Sequence, residues 1–165
     1  MKKPIRSQVI PFSEVPRTDD RADRDRPIVF VVDDEPLVAE TLALILSGAG
    51  FTAKPVNSAY EALELAYIFR PAFLLTDVHM PGMSGVELAL MFRTGFPDCK
   101  VLLFSGKATP KDMEPAIAAG VELPMLSKPI HPTEIIDYIS KSLSGCAIDP
   151  LIGVYGLTRP TLESA

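Results

Sequence analysis

The chain is 165 residues long and carries a net charge of −5, enough for one domain with a real core plus tails. The acidic balance argues against a nucleic-acid binder that works by neutralising phosphates. The two cysteines, Cys99 and Cys146, form no CxxC pair and suit a reduced, cytoplasmic protein; no long apolar segment follows Met1, Lys2 and Lys3 as a secretory leader requires, and no apolar run reaches the roughly 18 residues of a membrane span.

Residues 1–26 hold 7 Lys and Arg against 5 Asp and Glu, with Pro4, Pro11, Pro16 and the run RTDDRADRDR. Such a charged, apolar-poor head cannot bury a core, and disorder is expected there. The remaining body holds 9 basic and 16 acidic residues, a net of −7. Its first element is the β-branched and aromatic run Ile28 to Val32, which reads as a strand buried on both faces. Asp33, Asp34 and Glu35 end it, Pro36 opens a helix, and Gly48 and Gly50 stop that helix. TAKPV is a second strand, which Pro55 consigns to an edge. Ser58 can cap the next helix, whose Ala62, Leu65, Ala66 and Phe69 share a face.

Ala72 to Thr76 reads as the third strand, GVELALMFRTGF as the third helix and KVLLFSG as the fourth strand. TPKDMEPAIAAG is a weaker helix, because Pro115 removes a donor within it. A short strand lies in VELPMLSKP. A last helix follows in HPTEIIDYISKSL, with Ile135, Ile136, Ile139 and Leu143 on one face and Gly145 at its end. Five strands alternating with five helices predict a parallel sheet covered on both faces. The expected organisation is a head over 1–26, a domain over 27–144 and a short tail over 145–165.

In such a sheet the strand C-termini share one edge, where ligands bind. Asp33 and Asp34 follow the first strand, Asp77 the third, Ser105 ends the fourth, and Lys128 follows the fifth. Three carboxylates converging on one rim repel one another. A hard divalent cation resolves that repulsion, and oxygen-only ligands suit Mg²⁺ better than zinc. Lys128 and Ser105 add a point charge and a hydroxyl able to offset the oxygens of a transferring phosphoryl group. The nucleophile would then be a carboxylate, and Asp77, alone at its strand end, is the best candidate.

With these residues in order on the expected elements, the chain resembles a response-regulator receiver domain of two-component signalling. The likeness rests on Asp33-Asp34, on the D-x-x-M-P-x-x-x-G run from Asp77 to Gly85, on Ser105 and on Lys128-Pro129; Asp33 and Asp77 stand 44 residues apart. It spans about 27–144. The resemblance implies an α/β, flavodoxin-like (βα)5 three-layer sandwich with strand order 2-1-3-4-5. It implies that Asp77 receives a phosphoryl group from a phosphohistidine on a histidine kinase or phosphotransfer protein. Asp34 and Asp77 would bind Mg²⁺ directly, Asp33 through water, and the His79 backbone carbonyl would complete the set. Lys128 and Ser105 would contact the phosphoryl group. The expected protein is a stand-alone, cytoplasmic phosphoacceptor rather than a conventional turnover enzyme. It would pass its signal to a protein target, without nucleic acid or membrane, and with a homodimer left open.

Each residue also has a plainer role. Asp33 or Asp34 could cap the first helix; Ser105 and Lys128 could be ordinary loop residues. No His/Cys/carboxylate cluster with metal spacing surrounds His79, so its ring is not read as a carrier or ligand. The His79 and Lys107 side chains are instead candidates for tuning how long the phosphoryl group survives. Met125 stands three residues before Lys128, where many receivers carry a Tyr or Phe that swings on activation, so the usual switch is incomplete. Two rivals follow. One is a Mg²⁺ phosphohydrolase, against which His79 stands where a second Asp would be wanted. The other is a receiver-shaped adaptor that is never phosphorylated.

Overall fold

The computed structural model describes residues 26–145; all but the last residue of the expected head and all but the first residue of the expected tail lie outside the described residues. Five parallel strands, β1 (Ile28–Val32), β2 (Thr52–Val56), β3 (Phe73–Asp77), β4 (Lys100–Ser105) and β5 (Met125–Ser127), form one sheet in the order β2-β1-β3-β4-β5. Five helices alternate with them: α1 (Pro36–Gly48), α2 (Ala59–Phe69), α3 (Gly85–Gly95), α4 (Glu114–Ala118) and α5 (Pro132–Ser144). This is the order and layering the sequence predicts.

Alternation along the strands builds two cores. Phe30, Val32, Leu74 and Leu103 face α2, α3 and α4, whereas Val29, Val31, Leu75 and Leu102 face α1 and α5. Every one of these side chains is fully buried, as expected of strands in a sheet covered on both sides. Pro55 lies in β2 at the sheet edge, as predicted. The Ser58 hydroxyl accepts from the Glu61 amide at 3.2 Å, the expected cap of α2. Gly145 ends α5 in the left-handed conformation, at φ 68°.

Two expectations change. β3 runs one residue further than predicted, so Asp77 belongs to the strand itself, paired with Phe104 of β4. The fourth helix is not one helix weakened from within. Pro110–Met113 forms a 3₁₀ turn, and α4 begins at Glu114 with Pro115 in its first turn, where a missing N–H has no helical partner to lose.

Candidate functional site

β1 and β3 are neighbours, and the chain leaves them toward opposite sides of the sheet, β1 into α1 and β3 into α3. The rim between such strands is the crevice where parallel α/β sheets bind ligands. Asp33 directly follows β1 and Asp77 ends β3. Both are buried, at 2% and 7% exposure.

Backbone amides orient each carboxylate. Asp33 Oδ1 accepts from the Glu35 N–H at 2.9 Å, and Asp77 Oδ2 accepts from the His79 N–H at 2.9 Å. The Asn57 side-chain amide donates to the Asp33 carbonyl at 3.2 Å and braces that corner. The remaining oxygens meet the Lys128 ammonium, 3.1 Å from Asp33 Oδ2 and 3.0 Å from Asp77 Oδ1. Lys128 is itself steered by its N–H, which donates to the Ser105 carbonyl at 2.9 Å, and its ammonium lies 4.2 Å over the Phe104 ring. Burial disfavours the ammonium, but hydrogen bonds to Asp77 and Asp33 and their charges prevail, so its pKa is raised.

Asp34 is exposed. Neither acid caps α1: the cap position is Glu35, without a side-chain cap bond. Among the described residues, no three His, Cys, Asp or Glu side chains are gathered as a metal cluster. Asp33 and Asp77 are nevertheless hard oxygen donors. Lys128 contacts both of them, and the exposed Asp34 adjoins Asp33 in the chain.

Ser105, 4% exposed, ends β4 on the same rim. Its hydroxyl accepts from the Lys107 N–H at 3.3 Å and lies 3.4 Å from His79 Nδ1. The Lys107 side chain is exposed. The far side of the His79 ring meets Asp112, with Nε2 3.2 Å from Oδ1. The other Asp112 oxygen accepts from the Thr109 amide at 2.6 Å and its hydroxyl at 2.8 Å. Those bonds, with burial opposing and the His79 charge assisting, hold the Asp112 carboxyl below its ordinary pKa. Met125 is buried against the α2–α4 side of the sheet.

The loop after Asp77 depends on Gly85. Its N–H donates to the Val78 carbonyl at 3.0 Å, and a Cβ there would overlap the Asp77 carbonyl oxygen. Backbone contact this close admits no side chain.

The geometry thus brings Asp33, Asp77 and Lys128 into direct contact, sets Ser105 and His79 beside them, and leaves Asp34 and Lys107 exposed. Asp112, Thr109 and Asn57 escape sequence reasoning. T-x-x-D at Thr109–Asp112 is a legible capping signature, but nothing in the sequence joins it to His79.

The family model of the response regulator receiver domain matches residues 29–140. The DNA-binding response regulator MtrA of Mycolicibacterium smegmatis is 29% identical over 116 residues, covering 69% of this chain and 49% of that protein. The probable transcriptional regulatory protein TcrX of Mycobacterium tuberculosis is 31% identical over 116 residues, covering 70% and 49%. The chain therefore spans about half the length of these curated relatives. A CheY-like response regulator receiver domain protein from Methanospirillum hungatei superposes with a TM-score of 0.66 at 22% identity, over 73% of this chain and 95% of that one.

Proposed function

Because the chain belongs to the response regulator receiver domain family, we propose that Asp77 is its phosphoacceptor and that a phosphohistidine protein is the donor. Receiver domains are signalling domains of two-component systems rather than conventional enzymes; they interact with histidine kinases or phosphotransfer proteins and bind Mg²⁺ at the phosphorylation site. The observation that carries the proposal for this chain is the Lys128 ammonium, held 3.0 Å from a buried Asp77 carboxylate on the sheet's ligand-binding rim.

In the proposed step an Asp77 carboxylate oxygen attacks phosphorus. The O–P bond forms as the P–N bond to the donor imidazole breaks, and the released imidazole nitrogen takes a proton from solvent. Lys128 offsets charge on the phosphoryl oxygens, and Ser105, which follows Asp77's strand partner Phe104, supplies a hydroxyl on the same rim. The amide of His79 fixes the orientation of the Asp77 carboxylate. Asp33, Asp34, Asp77 and the His79 carbonyl would hold Mg²⁺. The ion would supply positive charge to the phosphoryl oxygens.

The donor has to approach over this rim. An apolar groove that includes Leu37, Leu42, Ile45, Pro129 and Ile130 adjoins Lys128, and Leu37 is 76% exposed. A phosphohistidine protein seated there would bring its imidazole to Asp77. The output would pass through protein contacts of the same domain. No helix of the described residues is long and apolar enough to cross a membrane.

The test is incubation of the full chain with acetyl phosphate or phosphoramidate and Mg²⁺, read by intact mass. A gain of one phosphoryl group that disappears in Asp77→Asn is the expected result. No gain from these donors or from a histidine kinase would instead favour the unphosphorylated adaptor.

A further inference from the structure

The transfer step leaves one rim contact unused: the His79 imidazole, placed between the Ser105 hydroxyl and the Asp112 carboxylate. We infer that His79 is a positioning residue that carries the state of Asp77 to the Pro110–Met113 turn, through Ser105 on one side and Asp112 on the other. The inference rests on phosphorylation of Asp77 as proposed above.

The Ser105 end is built to change partner. Its hydroxyl is buried, and its contact with His79 Nδ1 is 3.4 Å, long for a hydroxyl bond. A phosphoryl group on Asp77 adds about −1.5 to −2 charges and three strong acceptor oxygens. Asp77 pairs with Phe104, the residue before Ser105, so that charge arises beside this hydroxyl. Charge-assisted hydrogen bonds are roughly twice as strong as neutral ones. The serine hydroxyl therefore turns to donate to the phosphoryl oxygens and gives up its contact with His79.

The Asp112 end is built to pass the change on. One Asp112 oxygen meets His79 Nε2, and the other closes the turn by holding Thr109. The His79 amide stays anchored on Asp77 Oδ2 while its ring spans outward. Loss of the Ser105 contact frees one side of the ring, and the ring's hold on Asp112 resets with it. The turn borders a groove lined in part by Met80, Pro81, Lys111 and Pro115, where a partner would read the change. Met125 is buried and carries no hydroxyl to serve the same purpose.

The test uses the ¹⁵N-labelled full chain with acetyl phosphate and Mg²⁺, with phosphoryl occupancy matched by intact mass. The Lys107 amide donates to Ser105 and so reads the hydroxyl itself, whereas the Thr109 and Asp112 amides read the turn. In the unsubstituted protein all three amides shift on phosphorylation. In His79→Ala, which leaves the Thr109–Asp112 bonds in place, Lys107 still shifts and the turn does not. Asp112→Asn keeps an oxygen for Thr109 but loses the charge, and the turn's response shrinks. A turn that responds as fully in His79→Ala overturns the inference, as does a phosphorylated protein in which Lys107 or the turn stays still. Absence of phosphorylation in the unsubstituted chain overturns the proposed function, and the inference with it.

Discussion

Lys128 and Asp77 lie 51 residues apart in the chain, and their side chains meet at 3.0 Å. The same ammonium bonds Asp33 at 3.1 Å, so one cation separates two buried anions. Lys128→Met should leave the two carboxylates facing each other without compensation. The expected loss of stability is roughly 1–3 kcal/mol, less than for a fully buried pair because the Lys128 side chain is 32% exposed. Phosphorylation of Asp77 by acetyl phosphate should slow by about 10²–10³-fold, as when one preorganised charge-stabilising donor is removed. Urea melts and an intact-mass time course measure the two effects. Unchanged rates would remove Lys128 from the chemistry.

Mg²⁺ that binds only the folded chain should raise its melting temperature. At a hundredfold excess over the dissociation constant the gain is about 2.7 kcal/mol. Thermal melts with MgCl₂ against EDTA should show this gain, and Asp33→Asn and Asp77→Asn should each reduce or abolish it. Asp34→Asn is the sharper case, because Asp34 is exposed whereas the other two are buried. An undiminished shift in that variant would take Asp34 out of the ligand set.

Leu37→Lys tests the docking groove apart from the chemistry. The residue is 76% exposed and lines the groove beside Lys128, so the fold should tolerate the change. Transfer from a phosphorylated histidine kinase should slow, while phosphorylation by acetyl phosphate should keep its rate. Equal slowing with both donors would place the defect in the site rather than in docking.

Cys99 gives a prediction in pH. Burial pushes its thiol up from an ordinary 9.0 to about 12. Because the folded state holds the proton more tightly than the unfolded state, this group's contribution to stability is fully present below pH 9.0. It declines as the pH rises toward about 12. At pH 8 the folded protein should therefore resist iodoacetamide at Cys99, and unfolding in urea should expose it. Peptide-level mass spectrometry separates this thiol from Cys146. Rapid alkylation of Cys99 in the folded state would contradict the burial.

The sequence made the scaffold legible because local rules and tertiary packing agree there. Ile28 to Val32 suited a strand covered on both faces, Ser58 could cap, and Pro55 suited an edge. It misread Pro115 because periodicity sees a proline inside an apolar pattern, whereas the chain resets at Glu114 and makes that proline part of a first turn. For the site, the strand-end rule brought Asp33, Asp77, Ser105 and Lys128 to one rim. It could not show that Lys128 bridges both acids, that Asp34 is exposed while Asp33 is buried, or that His79 reaches Asp112. Those depend on side-chain directions set by backbone amides at Glu35 and His79 and by a turn 33 residues away.

Pro55 has a consequence beyond register. An open sheet has two margins, and each is a template on which another chain could add a strand. At one margin β2 presents Pro55, which offers no N–H, beside Lys54. At the other, β5 spans three residues. Neither margin gives an incoming strand a long run of partners, so the parallel sheet is guarded against edge-to-edge aggregation.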